Sequence, residues 1–224
     1  MERTREHDGR VPPRAHQRLR RGRTLEERRQ ERREALLAAA LEVFGTKGYG
    51  ASSIEEICRR AYVSSRDFYA EFANREALFN ALGELLTIRV YRALTQVEVP
   101  DGPATDLPRT RARIAQLVHV LVDDPRVARI AIVESVGISE EHESRRRAAH
   151  RLYADWIQGY VGAEMAAKGV DGPQRRALAL ALVGAVNELI VDWIHTPVPE
   201  RCTVDELIDL ITEVASVLLL RSVH

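Results

Sequence analysis

Side chains that could do catalytic or metal chemistry are few in this chain of 224 residues, and their spacing does not suit it. His142 and His150 lie near Glu140, Glu141 and Glu143, beside Arg145, Arg146 and Arg147. That charged run reads as the solvated face of a helix rather than a ligand set. His119 and Asp123 stand four apart, so a helix would stack them; a hydrogen-bonded pair is a simpler outcome than a metal site. Gly48-Tyr49-Gly50 has neither the third glycine nor the preceding strand of a dinucleotide loop. No G-x-S-x-G, P-loop or H-E-x-x-H motif occurs. Two cysteines, Cys58 and Cys202, are too few and too scattered for a disulfide framework or a metal site. Cys58 falls on an apolar stripe and is expected to be a small core residue. No enzyme activity, metal or cofactor is expected.

A second kind of chemistry, reading nucleic acid, is carried by residues 35–82. Leu36, Leu37, Ala40, Leu41 and Phe44 recur at helical spacing before Gly45 and Gly48 punctuate the chain. Ser53-x-x-Glu56 reads as a capping box opening a second helix, whose Ile54, Ile57, Cys58 and Ala61 form one apolar stripe. After a turn at Tyr62-Val63, Ser64 caps a third helix with Phe68 and Phe72 inward. Ser65, Arg66, Asp67 and Tyr69 are then left to point out. Two helices this short cannot bury a core alone, but the second of such a pair can lie in a DNA major groove.

These residues resemble the signature of the TetR family of transcriptional regulators: Ala61-Tyr62-Val63-Ser64, then Phe68-Tyr69, Phe72 and Asn74-Arg75-Glu76-Ala77-Leu78. Three positions depart from the family pattern. Tyr62 replaces a small turn residue, which suggests an altered turn. Arg75 replaces a lysine. Glu71 puts an acid where a phosphate-friendly residue is common, which suggests a different backbone contact. On this resemblance Tyr69 and Arg75 hold phosphates, and Ser53 and Ser64 add contacts at the level of the DNA backbone. Ser65, Arg66 and Asp67 meet base edges, Arg66 with guanine. The resemblance also implies a helical C-terminal body that binds a small-molecule effector and pairs with a second copy.

The net charge of zero hides an asymmetry. Residues 1–23 carry eight arginines, Arg14, Arg18, Arg20, Arg21 and Arg23 among them, against Glu2, Glu6 and Asp8, so the arm is +5 and the remainder −5. With Gly9, Pro12, Pro13 and Gly22 and little to pack, it is expected to be a disordered basic arm that reaches along DNA. Arginine outnumbers lysine 31 to 2 across the whole chain, so coding bias is the competing account. Glu26, Glu27, Glu31 and Glu34 interleave with Arg28–Arg33 as a solvated start of helix 1.

Beyond residue 82 the pattern stays helical. Helices are expected from Asn74 to about Val97 and over 109–122, 125–137 and 139–168, with a linker at 100–108 and a break at Gly169–Pro173. The last two helices carry 4-3-4 seams, Leu178, Leu182, Ala185 and Leu189 in one, Leu207, Ile211, Val214 and Leu218 in the other. They are expected to form the dimer interface, an intramolecular seam being the alternative. Tyr153, Trp156 and Trp193 supply pocket walls with Tyr160, while Asn187, Glu134 and Asp192 are polar residues in or beside apolar stretches. No run reaches the roughly 18 apolar residues of a membrane span, so a soluble, cytoplasmic chain is expected.

The reading is an all-α protein in three parts: a basic arm (1–25), a helix-turn-helix domain (26–73) and a ligand-binding, dimerising body (74–224). Its function is that of a homodimeric repressor released from double-stranded operator DNA by a small molecule, without membrane involvement. The runner-up is a helical adaptor that kept the fold but lost DNA reading.

Overall fold

Thr24 opens the first helix because its hydroxyl accepts the Glu27 N–H at 3.1 Å, while the Glu27 carboxylate accepts the Thr24 N–H at 2.6 Å. The computed structural model describes residues 24–99, 101–104, 106–134 and 137–219. The basic arm of residues 1–23, with Arg14, Arg18, Arg20, Arg21 and Arg23, lies outside the described residues. From Thr24 the chain forms α1 (Leu25–Lys47), α2 (Ile54–Ala61), α3 (Ser65–Glu71) and α4 (Arg75–Thr95). There follow α5 (Leu107–Val122), α6 (Pro125–Ala128) with a π-turn over Arg129–Val133, α7 (Glu140–Ala167), α8 (Gly172–His195) and α9 (Val204–Leu219). The fold is all-helical, with no strand among the described residues.

The first three helices and the start of α4 share one core. Leu36, Ala40 and Phe44 from α1 meet Ile57 of α2, Phe68 of α3, and Leu78 and Phe79 of α4, all at most 1% exposed. Phe44, Tyr49 and Phe79 interlock, with Phe79 edge-on to Phe44 at 5.2 Å and to Tyr49 at 5.1 Å. The expected apolar stripe of α2 is present, with Cys58 buried and its thiol pushed up by that burial.

In the body, α7 lies along α8, while α5 packs on both α4 and α9. The connection from α8 to α9 closes over Trp193, whose indole N–H donates to the Cys202 carbonyl at 2.8 Å, with Arg201 stacked on the ring. Thr203 then opens α9 by the reciprocal capping that Thr24 uses, with Glu206 as partner. By length and mean composition alone α8 is apolar enough to cross a membrane, although Asn187 and Glu188 interrupt its apolar run. It is nevertheless a bundle helix, packed between α7 and α9 on one side, with only 28% of its apolar window buried.

The helix expected over 125–137 is interrupted. Four residues of α-helix give way to the π-turn, where the Glu134 N–H reaches back to the Arg129 carbonyl. The extra residue per turn re-aims the side chains that follow. Ile130, Ala131 and Ile132 face a cavity, while Arg129 and Glu134 turn to α1.

Candidate nucleic-acid interface and ligand cavity

Tyr62 fixes the angle between α2 and α3. It sits in the left-handed region (φ 54°, ψ 37°), and the chain closes around it with Tyr62 N–H to the Arg59 carbonyl and Val63 N–H to the Cys58 carbonyl. The turn expected to be altered thus keeps a glycine-type conformation, with tyrosine bearing its strain. Its ring is 98% exposed and stabilises nothing within the domain. Tyr62→Gly is therefore expected to raise stability by about 1 kcal/mol, measured by urea denaturation, because the left-handed penalty is removed and no packing is lost.

Ser64 caps α3, accepting the Asp67 N–H at 3.1 Å and donating its own proton to the Asp67 carboxylate at 2.7 Å. Asp67 is consequently tied to the cap through one carboxylate oxygen. Ser65, Arg66 and Tyr69 are exposed on the same short helix, Tyr69 edge-on to buried Phe68 at 5.3 Å. Ser53 caps α2 by accepting the Glu56 N–H, but the reciprocal half of the expected box is missing. Glu56 turns instead to the Lys47 ammonium at 2.6 Å.

Two further expectations change. Arg75, expected to hold phosphate, is half-buried: it donates to the Ser52 carbonyl and its guanidinium lies 4.3 Å from the centre of the Tyr49 ring. It ties α4 to the turn before α2. Glu71, expected to disturb the DNA contact, has a side chain only 1% exposed and accepts from Arg29 and Arg32 of α1. The acid is consumed inside the domain, fastening α3 to α1, and presents no charge to DNA. From sequence both looked like surface residues because their partners lie 23 to 42 positions away.

The body contains a cavity of about 610 Å³ between α4, α5, α7 and α8. It follows α7 from His142 to Val161, about 28 Å at 1.5 Å per residue, so it is a channel rather than a sphere. Tyr153, Trp156 and Asn187 line it as expected from sequence; Trp193 does not, being held at the α8–α9 connection. Neither Glu134 nor exposed Asp192 faces it. Burial in its wall pushes the Tyr153 phenol up to about 12, against a hydrogen bond with Thr87.

His142 and His150, read from sequence as solvated, belong to this wall as well. His142 is 5% exposed and donates from Nδ1 to the Asn80 side-chain oxygen at 2.6 Å; His150 accepts from Asn187 at 3.1 Å. Desolvation pushes both imidazoles down, so both stay neutral. The stripe was recoverable, since 142, 149, 153, 156 and 160 share one helical face with the aromatic residues. His119 and Asp123 form a surface pair at 3.0 Å, and among the described residues no group of three or more His, Cys, Asp and Glu side chains could hold a metal.

An exposed short helix on a three-helix base, joined by one long helix to an apolar channel, matches the architecture expected of a helix-turn-helix regulator. Residues 36–82 match the family model for bacterial regulatory proteins of the tetR family. The chain is 26% identical over 172 residues to the HTH-type transcriptional activator FasR of Mycolicibacterium smegmatis, covering 76% of each protein. Its fold is similar to a tetR-family regulatory protein from Rhodococcus RHA1, at TM-score 0.67 and 23% identity, over 84% of this chain and 96% of that one. FadR from Bacillus subtilis, solved in complex with stearoyl-CoA, gives TM-score 0.69 and 19% identity, over 85% and 99%. Over residues 36–82 the chain thus matches the DNA-binding domain of tetR-family regulators, and over most of its length it shares their fold.

Proposed function

We propose that the protein is a cytoplasmic, homodimeric repressor that reads a palindromic operator and is released from it by a long aliphatic effector held in the α4–α7 channel. The observation that carries this reading is the channel itself, which is apolar, elongated and joined through α4 to the DNA-reading helices. Burying one methylene there is worth about 0.8 kcal/mol, so a long chain gains affinity without polar contacts. The stearoyl-CoA held by Bacillus subtilis FadR supports an aliphatic ligand class. In this reading residues 26–73 read DNA and 74–224 bind effector and partner, the first turns of α4 being packed into the reader's core.

Dimerisation is supported by the outer faces of α8 and α9. Of the 4-3-4 seams read from sequence, Leu182, Leu207 and Ile211 are buried in the protomer at 7%, 2% and 0% exposed. Leu178, Ala185, Leu189, Val214 and Leu218 are half-buried. A core seam and a dimer seam have the same spacing, so sequence could not separate them. The exposed stripes sit one position over: Ala177, Leu180, Ala181 and Gly184 on α8, and Leu210 on α9. Small residues there allow a partner helix to approach closely. Two copies would then place two α3 helices to enter successive major grooves, about 34–36 Å apart. An effector that favours another spacing weakens DNA binding by its differential affinity for the two states.

A second reading, a ligand-dependent activator, is favoured by the name of the Mycolicibacterium relative. A reporter carrying the chain's own upstream region separates the two, because deletion of the regulator raises expression under repression and lowers it under activation. The adaptor alternative has lost its residue-level support, since Glu71 is turned inward. Groove reading is tested with Arg66→Ala, expected to cost about 1–3 kcal/mol on the operator and to relax one base position. Tyr69→Phe should weaken all sequences more evenly. An Arg66→Ala protein that bound every sequence as the parent does would overturn the assignment of α3 to the groove.

A further inference from the structure

Arg113 of α5 stands in the channel wall with no carboxylate within ion-pair distance among the described residues. The other wall arginines differ: Arg145 is paired with Glu84 and Glu141, and Arg146 with Glu143. Arg113 is also held in place. Its Nη1 donates to the Leu94 carbonyl, and its guanidinium lies 4.5 Å from the Tyr160 ring centre and 5.6 Å from that of Trp156. Those two rings are themselves stacked at 5.3 Å and 6°. Its Nε and the Tyr160 hydroxyl are buried without a hydrogen-bond partner. A charge fixed by two rings and one carbonyl, with donors unused, is costly in an apolar wall unless an anion completes it.

We infer that Arg113, with Tyr160 beside it, is the anchor for the head of a free long-chain carboxylate whose tail runs along the channel toward His142. This deepens the aliphatic-effector reading and rests on it. The guanidinium fork matches a carboxylate in a bidentate manner, and the Tyr160 hydroxyl is a further donor. A coenzyme A thioester is a poorer match. Its carbonyl is neutral, and its phosphates would need several unpaired cations, whereas the channel wall offers Arg113 alone among its described arginines.

The test is direct binding of stearate, methyl stearate and stearoyl-CoA to the full chain, its Arg113→Gln variant and its Arg113→Lys variant. The parent should bind stearate roughly ten- to hundredfold more tightly than methyl stearate. Arg113→Gln should bind both about equally, and methyl stearate as the parent does, which shows the channel intact. Arg113→Lys should recover part of the preference for the acid. Equal weakening of acid and ester in Arg113→Gln would mean a purely structural arginine and overturn the inference. So would a parent that takes ester and acid equally, or one that takes only the thioester with no effect of the substitution. If none of the three probes binds the parent, the aliphatic-effector reading fails first.

Discussion

Glu134→Ala is expected to lower stability by about 1.5–3 kcal/mol and to uncouple the channel from the DNA-reading helices. The Glu134 carboxylate accepts the Tyr49 N–H at 2.8 Å and the Arg129 Nε–H at 3.1 Å. Arg129 in turn donates to the Thr46 carbonyl at 2.9 Å, one of the last-turn acceptors of α1 that has no helical partner. This clasp grips the C-terminal end of α1, and between its two members Ile130, Ala131 and Ile132 line the channel. An effector that shifts the π-turn therefore shifts a segment fastened to the reader. Effector-driven loss of operator affinity, ordinarily 5- to 150-fold for coupled sites, should shrink to within about a factor of 3 in the variant, with effector affinity nearly unchanged. Gly48→Ala should act on the same joint. Gly48 has φ 87°, and an added Cβ would fall 2.9 Å from the Glu134 carboxylate. Its effect and that of Glu134→Ala should be less than additive, because part of it is eviction of Glu134. Gly45 is required nearby for another reason, since a Cβ there would collide with the Arg126 Cβ and prevent α6 from seating on α1. Denaturation, and operator titration with and without effector, check these outcomes. A variant that responds to effector as strongly as the parent would place the coupling elsewhere.

None of that joint is visible in the sequence. The helices were legible because their signals are local: caps at Ser53, Ser64 and Thr203, inward Phe68 and Phe72, and the proline-rich break after α8. The channel aromatics Tyr153 and Trp156 were legible because one face of α7 repeats them. What escaped were polar residues whose role depends on a distant partner. Glu71 looked like a charge facing DNA and is an internal fastener. Arg75 looked like a phosphate ligand and is a staple on Tyr49. Glu134 looked like a pocket residue, yet the π-turn, which no local propensity announces, carries it to a contact 85 positions away. His142 was misplaced for a different reason, since its charged neighbours outweighed the apolar stripe to which it belongs.

The same limit decides where an interface variant should be made. Leu182→Arg would put a charge into the protomer's own core and channel wall, so its loss of function would say little about assembly. Leu210→Arg and Ala181→Arg alter residues that face outward, Leu210 being 49% exposed, so the protomer should fold as before. In a dimer built on these faces the new guanidinium is buried without a partner, at a cost of about 3–5 kcal/mol per site. A two-fold axis repeats the substitution across the interface, which adds repulsion between like charges wherever the copies meet. Sedimentation at micromolar concentration should therefore change from dimer to monomer while helical content stays constant. Operator affinity should fall by at least about a hundredfold, because one reader alone engages a single half-site. Effector binding should survive, since the channel is enclosed by helices of one protomer. A parent that sediments as a monomer, or variants that remain dimeric and bind the operator normally, would remove α8 and α9 as the pairing surface. The exposed apolar stripe of α8 would then need a different partner.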